Sequence, residues 1–332
     1  MSCFYYLIPE QTKGRLDGET HVQYWKRRIF RGKEQLPIGG AKIIYQHCDM
    51  LNRNGFEAVP LHLGDFTISW FPHETKAMYR EEALRRMTSE DVLVCPEVIP
   101  AVAEEFPCRN RVAFIQNWAL AEFGTGPDRR YEDFGFTSLL TCSRYLQGYM
   151  KDKSSLPGHV VVNGIDLGTF YPPEAEKLSN RVVILNRRNI ADAREAIDLL
   201  DDEIREKGEF VILENQYSQQ EIAAFFREAD IFLAIGYPEG FALPPLEAMA
   251  CGCAVVGFSG GGGLEHMIDG QTALVAEDGN VEQLSRCLHR VLADDDLKES
   301  LRHEGLAKAR EFSLEHMEKQ LLEFARNVQA HE

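Results

Sequence analysis

Two glutamates, Glu239 and Glu247, stand with seven residues between them in YPEGFALPPLEAMACG, residues 237–252. An ionised carboxylate only accepts hydrogen bonds, so it takes hydroxyl groups and repels phosphate. DIFLAI before the stretch (230–235) and CAVVGF after it (253–258) read as buried strands. Between them, Pro244 and Pro245 suit the first turn of a helix and Gly252 suits its end. Such a helix turns its N-terminus toward the carboxyl-end crevice of a parallel sheet, where free N–H groups and the positive dipole end attract an anion. Glu247, expected in the first turn, then reaches ribose hydroxyls. Glu239, on the preceding loop, reaches those of a sugar beyond a diphosphate. The spacing suits a nucleoside diphosphate sugar. The plainer alternative makes Glu247 a first-turn acid favoured by the dipole and Glu239 an ordinary loop residue.

A departing diphosphate gains negative charge and needs positive groups or N–H dipoles aimed at it. Arg187 and Arg188 follow a strand directly in RVVILNRRN and are candidates, with surface decoration as the alternative. Gly39 and Gly40 precede a helix expected from Ala41, and SGGGGLEH (259–266) carries four glycines into another. Both runs permit close backbone approach to a ligand, or simply a turn. HCD at 47–49 lies inside a helical pattern, where Cys48 reads as core and not as a ligand. No metal motif is present, and metal-independent chemistry is expected.

These residues need elements to hold them. In the first half, CFYYLI, FEAVPL, DVLVC, RVAFI and SLLTC read as strands, alternating with helical stretches such as AKIIYQHCDMLNRNG and ETKAMYREEALRRM. VVVNGIDLGTFYPP (160–173) interrupts the rhythm with an Asn-Gly turn and a double proline and reads as a hinge. The alternation then restarts with RVVILN, EFVIL, DIFLAI, CAVVGF and TALVA. Three helical stretches in a row, from VEQLSRCLHRVLAD to LEHMEKQLLEFARNVQ, close the chain. This is α/β patterning, and 332 residues suffice for two cores.

Eight scattered cysteines, with only Cys251 and Cys253 close together and no CxxC pair, suit a reduced, cytoplasmic protein. A net charge of −16 excludes broad nucleic-acid binding. No secretory leader or membrane-spanning run is visible. One positive patch exists: WKRRIFRGK (25–33) interleaves five basic residues with apolar ones. Trp25, Lys26, Arg27, Arg28, Phe30 and Arg31 would touch a phosphorylated acceptor or the inner face of a membrane peripherally, or else form a solvated loop over the sheet edge.

EGFALPPLEAMACG resembles the EX7E motif of the retaining GT-B glycosyltransferases of the GT4 family, and VVVNGIDLGTFYPP, TCSRYLQGYM and GLEHMIDGQTALVAEDGN resemble that family's neighbouring segments. The resemblance covers most of residues 137–312. It implies a GT-B architecture of two Rossmann-like, doubly wound domains facing a cleft: an acceptor domain over 1–165, a donor domain over 166–312, and a last helix over 313–332 crossing back to the first. Glu239 would hold the transferred sugar and Glu247 the ribose. The N–H groups of Phe241, Ala242 and Leu243 would lie near the diphosphate, Ala242 at a position where the family usually has glycine. Gly39 and Gly40 would approach the phosphates. The family's arginine matches at Arg187 or Arg188, but its following lysine is missing, with Arg194 the nearest substitute. Where many relatives carry a histidine, this chain has Gln116 and Asn117, which can orient an acceptor but not act as bases near neutral pH.

The implied function is metal-independent retaining transfer of a sugar from a nucleotide-diphosphate sugar to a saccharide or glycolipid acceptor, in polysaccharide or glycolipid assembly. Two alternatives are a catalytically inactive GT-B-like subunit that binds a nucleotide sugar or a partner protein, and a nucleotide-sugar epimerase on the same architecture, for which no acid and base pair is found.

Overall fold

The computed structural model describes residues 2–10, 39–186, 188–215 and 217–330. The basic patch from Trp25 to Lys33 and Arg187 lie outside the described residues.

The first sheet holds β1 (Cys3–Ile8), β2 (Glu57–His62), β3 (Met78–Tyr79), β4 (Val92–Pro96), β5 (Asn110–Ile115), β6 (Ser138–Thr141) and β7 (Gly158–Val160). All pairs are parallel, in the order β3-β2-β1-β4-β5-β6-β7. The second sheet holds β8 (Leu178–Leu185), β9 (Glu209–Leu213), β10 (Ala229–Ala234), β11 (Ala254–Phe258) and β12 (Ala273–Ala276), also parallel, in the order β12-β11-β10-β8-β9. Every residue of β1 and of β10 is buried. Continuous apolar runs of this kind belong to parallel strands covered by helices on both faces. In each sheet the strand order reverses once: between β1 and β4, and between β8 and β10. Ligands bind at such reversals, outside the carboxyl ends of the strands.

The helices of the first half are α1 (Gly39–Arg53), α2 (Arg80–Arg86), α3 (Trp118–Thr125) and α4 (Arg144–Met150). Those of the second are α5 (Ile190–Asp198), α6 (Asp202–Lys207), α7 (Gln219–Glu228), α8 (Leu243–Ala250), α9 (Val281–Ala293), α10 (Asp295–Ala309) and α11 (Leu314–Ala330). Two expectations need correction. ETKAMYREEALRRM is not one helix: Met78 and Tyr79 pair with Leu61 and His62 at the sheet edge, and the helix starts only at Arg80. Met78 is buried there, and that packing outweighs helical propensity. α1 begins at Gly39, so both glycines lie inside its first turn.

The chain crosses between the halves twice. After β7 it runs to β8, and after α10 it returns to α11; Ile165 N–H donates to the Phe312 carbonyl at 2.8 Å, and Ile165 pairs in parallel with Ser313. α11 packs on the first half, where Arg53 meets Glu318 at 2.8 Å and Asn110 donates to the Val328 carbonyl at 3.2 Å. Gln329 reaches Ser2 Oγ at 3.0 Å. No helix among the described residues is long and apolar enough to cross a membrane.

His47, on α1, is fully buried and stacks on Phe114 with ring centroids 5.4 Å apart. Its ring nitrogens have no hydrogen-bond partner among the described residues, and burial pushes its pKa down to about 3. The unfolded chain takes up this proton near pH 6.5 while the folded chain refuses it. Stability from His47 is therefore present above pH 6.5 and is lost progressively as pH falls toward 3. His47→Phe should flatten the acid limb of thermal unfolding, with a gain on the order of 2–3 kcal/mol over the wild type at pH 4.

Candidate functional site

The reversal points of both sheets open on one cavity of about 860 Å³. Ile8, Pro96 and Glu97 line it from the ends of β1 and β4, and Leu185, Ile235 and Gly236 from the ends of β8 and β10. This volume suits a small organic ligand held between two domains.

The halves meet where the loop after β10 passes the loop after β5. A β-carbon on Gly240 would stand 1.9 Å from the Gln116 carbonyl oxygen, so only glycine permits this approach. Two helix caps hold the contact. Asn117 caps α3 by accepting from Ala119 N–H at 3.0 Å, and its Nδ2 donates to the Pro238 carbonyl at 3.1 Å. Ser143 caps α4 by accepting from Leu146 N–H at 3.1 Å, and its hydroxyl donates to the Gly240 carbonyl at 2.7 Å. Trp118 Nε1 adds a bond to the Gly260 carbonyl at 2.9 Å. Behind the loop, Glu239 N–H donates to Gly260 and Gly262 N–H donates to Glu239. A β-carbon on Gly262 would lie 2.1 Å from the Gly240 carbonyl, so the glycine run exists to let the Glu239 loop lie flat on it.

Most residues singled out from sequence converge here. Glu239, Arg188, Gln116, Asn117, Gly39 and Gly40 line the cavity. So do Phe241, Ala242 and Leu243 at the start of α8. Pro244 and Pro245 have no N–H to offer, so the donors at this helix start come from residues 241–243. Ala242 sits at φ 59°, ψ 73°, the left-handed region, which explains the glycine usual at this position in the similar family; alanine there costs on the order of 1 kcal/mol. Arg188 Nη1 donates to the Pro238 carbonyl at 3.0 Å, and its Nη2 lies 3.5 Å from Glu239 Oε1. That pair is half-exposed, so it orients more than it stabilises. The Gln116 side chain lies against α1, where a β-carbon on Gly40 would be 2.9 Å from its Oε1.

Two residues sit otherwise than expected. Glu247 stands in the second turn of α8, not the first, because the helix opens at Leu243. It is buried, 3.5 Å from Lys42 of α1, and is not among the cavity-lining residues. Arg194 is not among the cavity-lining residues; it pairs at 3.5 Å with Glu214, which is.

Sequence reasoning missed Glu97, which follows the strand VLVCP directly and lines the cavity. Burial pushes its carboxyl up to about 7 against the opposing pull of its own N–H and those of Gln116 and Asn117. The titratable groups around it, Cys95, Tyr131 and Cys142, are neutral near that pH. Its hydrogen bonds hold the backbone of the turn that carries Gln116 and Asn117. An acid just past a buried strand was the available signal. Asn186, Asn215 and Tyr217 also line the cavity, on the β8 and β9 side.

Comparison with known proteins addresses the half that carries Glu239. The glycosyl transferases group 1 family matches residues 191–308. An uncharacterized glycosyltransferase of Methanocaldococcus jannaschii is 21% identical over 204 residues, 56% of this chain and 58% of the relative. O-antigen chain mannosyltransferase B of Escherichia coli is 35% identical over 96 residues, 29% of this chain and 25% of the relative. The chain thus spans between a quarter and three fifths of these relatives' length. Across the whole chain, a sucrose-phosphate synthase from Thermosynechococcus elongatus superposes with a TM-score of 0.67 at 14% identity, covering 100% of both chains. Anabaena HepE in complex with UDP-glucose superposes with a TM-score of 0.65 at 12% identity, covering 98% of this chain and 100% of that one. The fold of the whole chain is GT-B.

Gly240→Ala should wedge the halves apart at the Gln116 carbonyl, at a cost of about 1–3 kcal/mol in chemical denaturation and with a larger radius of gyration in solution scattering. Glu97 gives a second outcome. The folded protein keeps its proton up to about pH 7, whereas the unfolded chain loses it near 4.5, so stability falls as pH rises through that window. Thermal unfolding of Glu97→Gln should lack this decline between pH 5 and 8.

Proposed function

We propose that the protein is a retaining glycosyltransferase that moves a sugar from a nucleoside diphosphate sugar to a hydroxyl of a saccharide or glycolipid acceptor, without a metal ion. One observation carries the reading: the start of α8, with N–H donors only from residues 241–243, opens on a cavity at both reversal points, with Glu239 and Arg188 beside it. The helix N-terminus and Arg188 suit a diphosphate, and the carboxylate of Glu239 suits the hydroxyls of the sugar attached to it. The relatives named as glycosyltransferases, and the UDP-glucose in the HepE structure, support a nucleotide-sugar donor.

In this reading the bond from the anomeric carbon to the diphosphate oxygen breaks first, leaving its electrons on that oxygen. Arg188 and the N–H groups of Phe241, Ala242 and Leu243 stabilise the charge that develops there. The acceptor hydroxyl attacks from the same face, and its proton passes to the departing phosphate oxygen. No side-chain base is needed, which suits a cavity with Gln116 where a base would stand. The role of Gln116 is to orient the acceptor. Asn117, tied into the α3 cap and to Pro238, shapes the wall. The eight cysteines, all free and buried, support a reducing, cytoplasmic location.

A binding subunit without transfer is the second reading, favoured by Asn117 being committed to structure. Calorimetric titration with UDP, GDP, ADP and dTDP should show saturable binding of one of them, weakened about tenfold in Glu247→Ala. Absence of binding by folded protein would refute both readings. Where a nucleotide binds, proton NMR of the matching sugar donor incubated with candidate acceptors should show a product that keeps the donor's anomeric configuration. An inverted product overturns the mechanism, and binding with no turnover selects the subunit.

A further inference from the structure

Lys42 and Glu247 form a buried ion pair between the two halves: Nζ of Lys42, in the first turns of α1, lies 3.5 Å from Oε1 of Glu247, in the second turn of α8. Neither charge is where stability alone would put it. A cation near a helix N-terminus opposes the dipole, and burying both groups costs several kcal/mol in desolvation that a single contact repays poorly. The two helix starts are in contact, with a β-carbon on Gly39 3.9 Å from Leu243 Cδ1. Residues on either side of Lys42 line the cavity, Gly40, Ala41 and Ile43, as do Leu243 and Pro244 in the turn before Glu247. Glu247 shares a helix face with Leu243 and Pro244, and helical side chains lean toward the N-terminus, so its carboxylate leans toward the cavity end of α8. Lys42 Nζ lies nearest Oε1, and a carboxylate carries a second accepting oxygen.

We infer that Lys42 is a positioning residue for the donor: reaching across from the acceptor half, it holds the Glu247 carboxylate in the orientation that reads the ribose hydroxyls. The inference rests on the donor reading above and adds to it. The ribose is then recognised by a carboxylate of one half aimed by a cation of the other, so ribose discrimination depends on the halves being together. Without Lys42 the buried Glu247 carboxylate loses the contact that fixes its orientation.

The test is calorimetric binding of UDP against 2′-deoxy-UDP, and of GDP against 2′-deoxy-GDP, to the full chain. The wild type should prefer the ribonucleotide about tenfold, the effect of one hydrogen bond to a charged group. In Lys42→Met the preference should collapse to about twofold or less, and Lys42→Arg should restore most of it. Lys42→Gln, which keeps a donor but no charge, serves if the methionine variant does not fold, with the same loss of preference expected. An unchanged preference in a folded Lys42 variant overturns the inference and leaves the donor site standing. A wild type that binds the nucleotide with no preference at the 2′ position removes Glu247 from the ribose, and the inference with it. A wild type that binds none of UDP, GDP, ADP and dTDP refutes the donor reading itself.

Discussion

The close passage of Gly240 beneath the Gln116 carbonyl is the contact around which the two halves are arranged. A hydrogen in place of a side chain lets the loop after β10 touch the loop after β5, and everything catalytic in the donor reading sits within a few residues of that crossing. The surrounding bonds are of one kind. Asn117, Trp118 and Ser143 of the first half all donate to backbone carbonyls of the second. Two of these donors are helix caps, so the same side chains that start α3 and α4 also seat the opposite loop. Local helix formation and domain contact are thereby one event.

The cavity divides its tasks by chemistry. In the proposed reaction, the donor would meet a helix start stripped of competing N–H groups by two prolines, a half-exposed arginine and a carboxylate. The acceptor would meet an amide and a buried acid that braces the turn behind it. A transfer reaction needs positive character at the departing group and restraint everywhere else, because surplus charge would bind the ground state as tightly as the transition state. The half-exposed Arg188 meets that need: its guanidinium is held by the Pro238 carbonyl and Glu239, and still borders the cavity.

The sheets were readable because parallel strands buried on both faces are continuous apolar runs, and Cys3–Ile8 and Ala229–Ala234 are of that kind. The β3 edge was not: Met78 and Tyr79 take an extended form only because Leu61 and His62 lie beside them, a partner no local pattern announces. Glu239 was legible from its place between a strand and a proline-led helix. Glu247 was legible as a residue but not in its setting, since its neighbour Lys42 lies some two hundred positions away. Arg194 stands one residue behind the cavity wall, paired with Glu214, a partner that spacing along a chain does not announce. Glu97 was hidden by its own neighbours: a single acid after a strand looks like the start of a loop until burial shows that water cannot reach it.

The two crossings of the chain between its halves, side by side at Ile165 and Ser313, act mechanically as a two-ply strap. A single connecting strand is a swivel and lets one body spin on the other. Two adjacent strands define a line: they resist torsion and permit bending about that line alone. Because α11 returns to the first half, neither ply is a loose end, and the halves are tethered twice at one place instead of once.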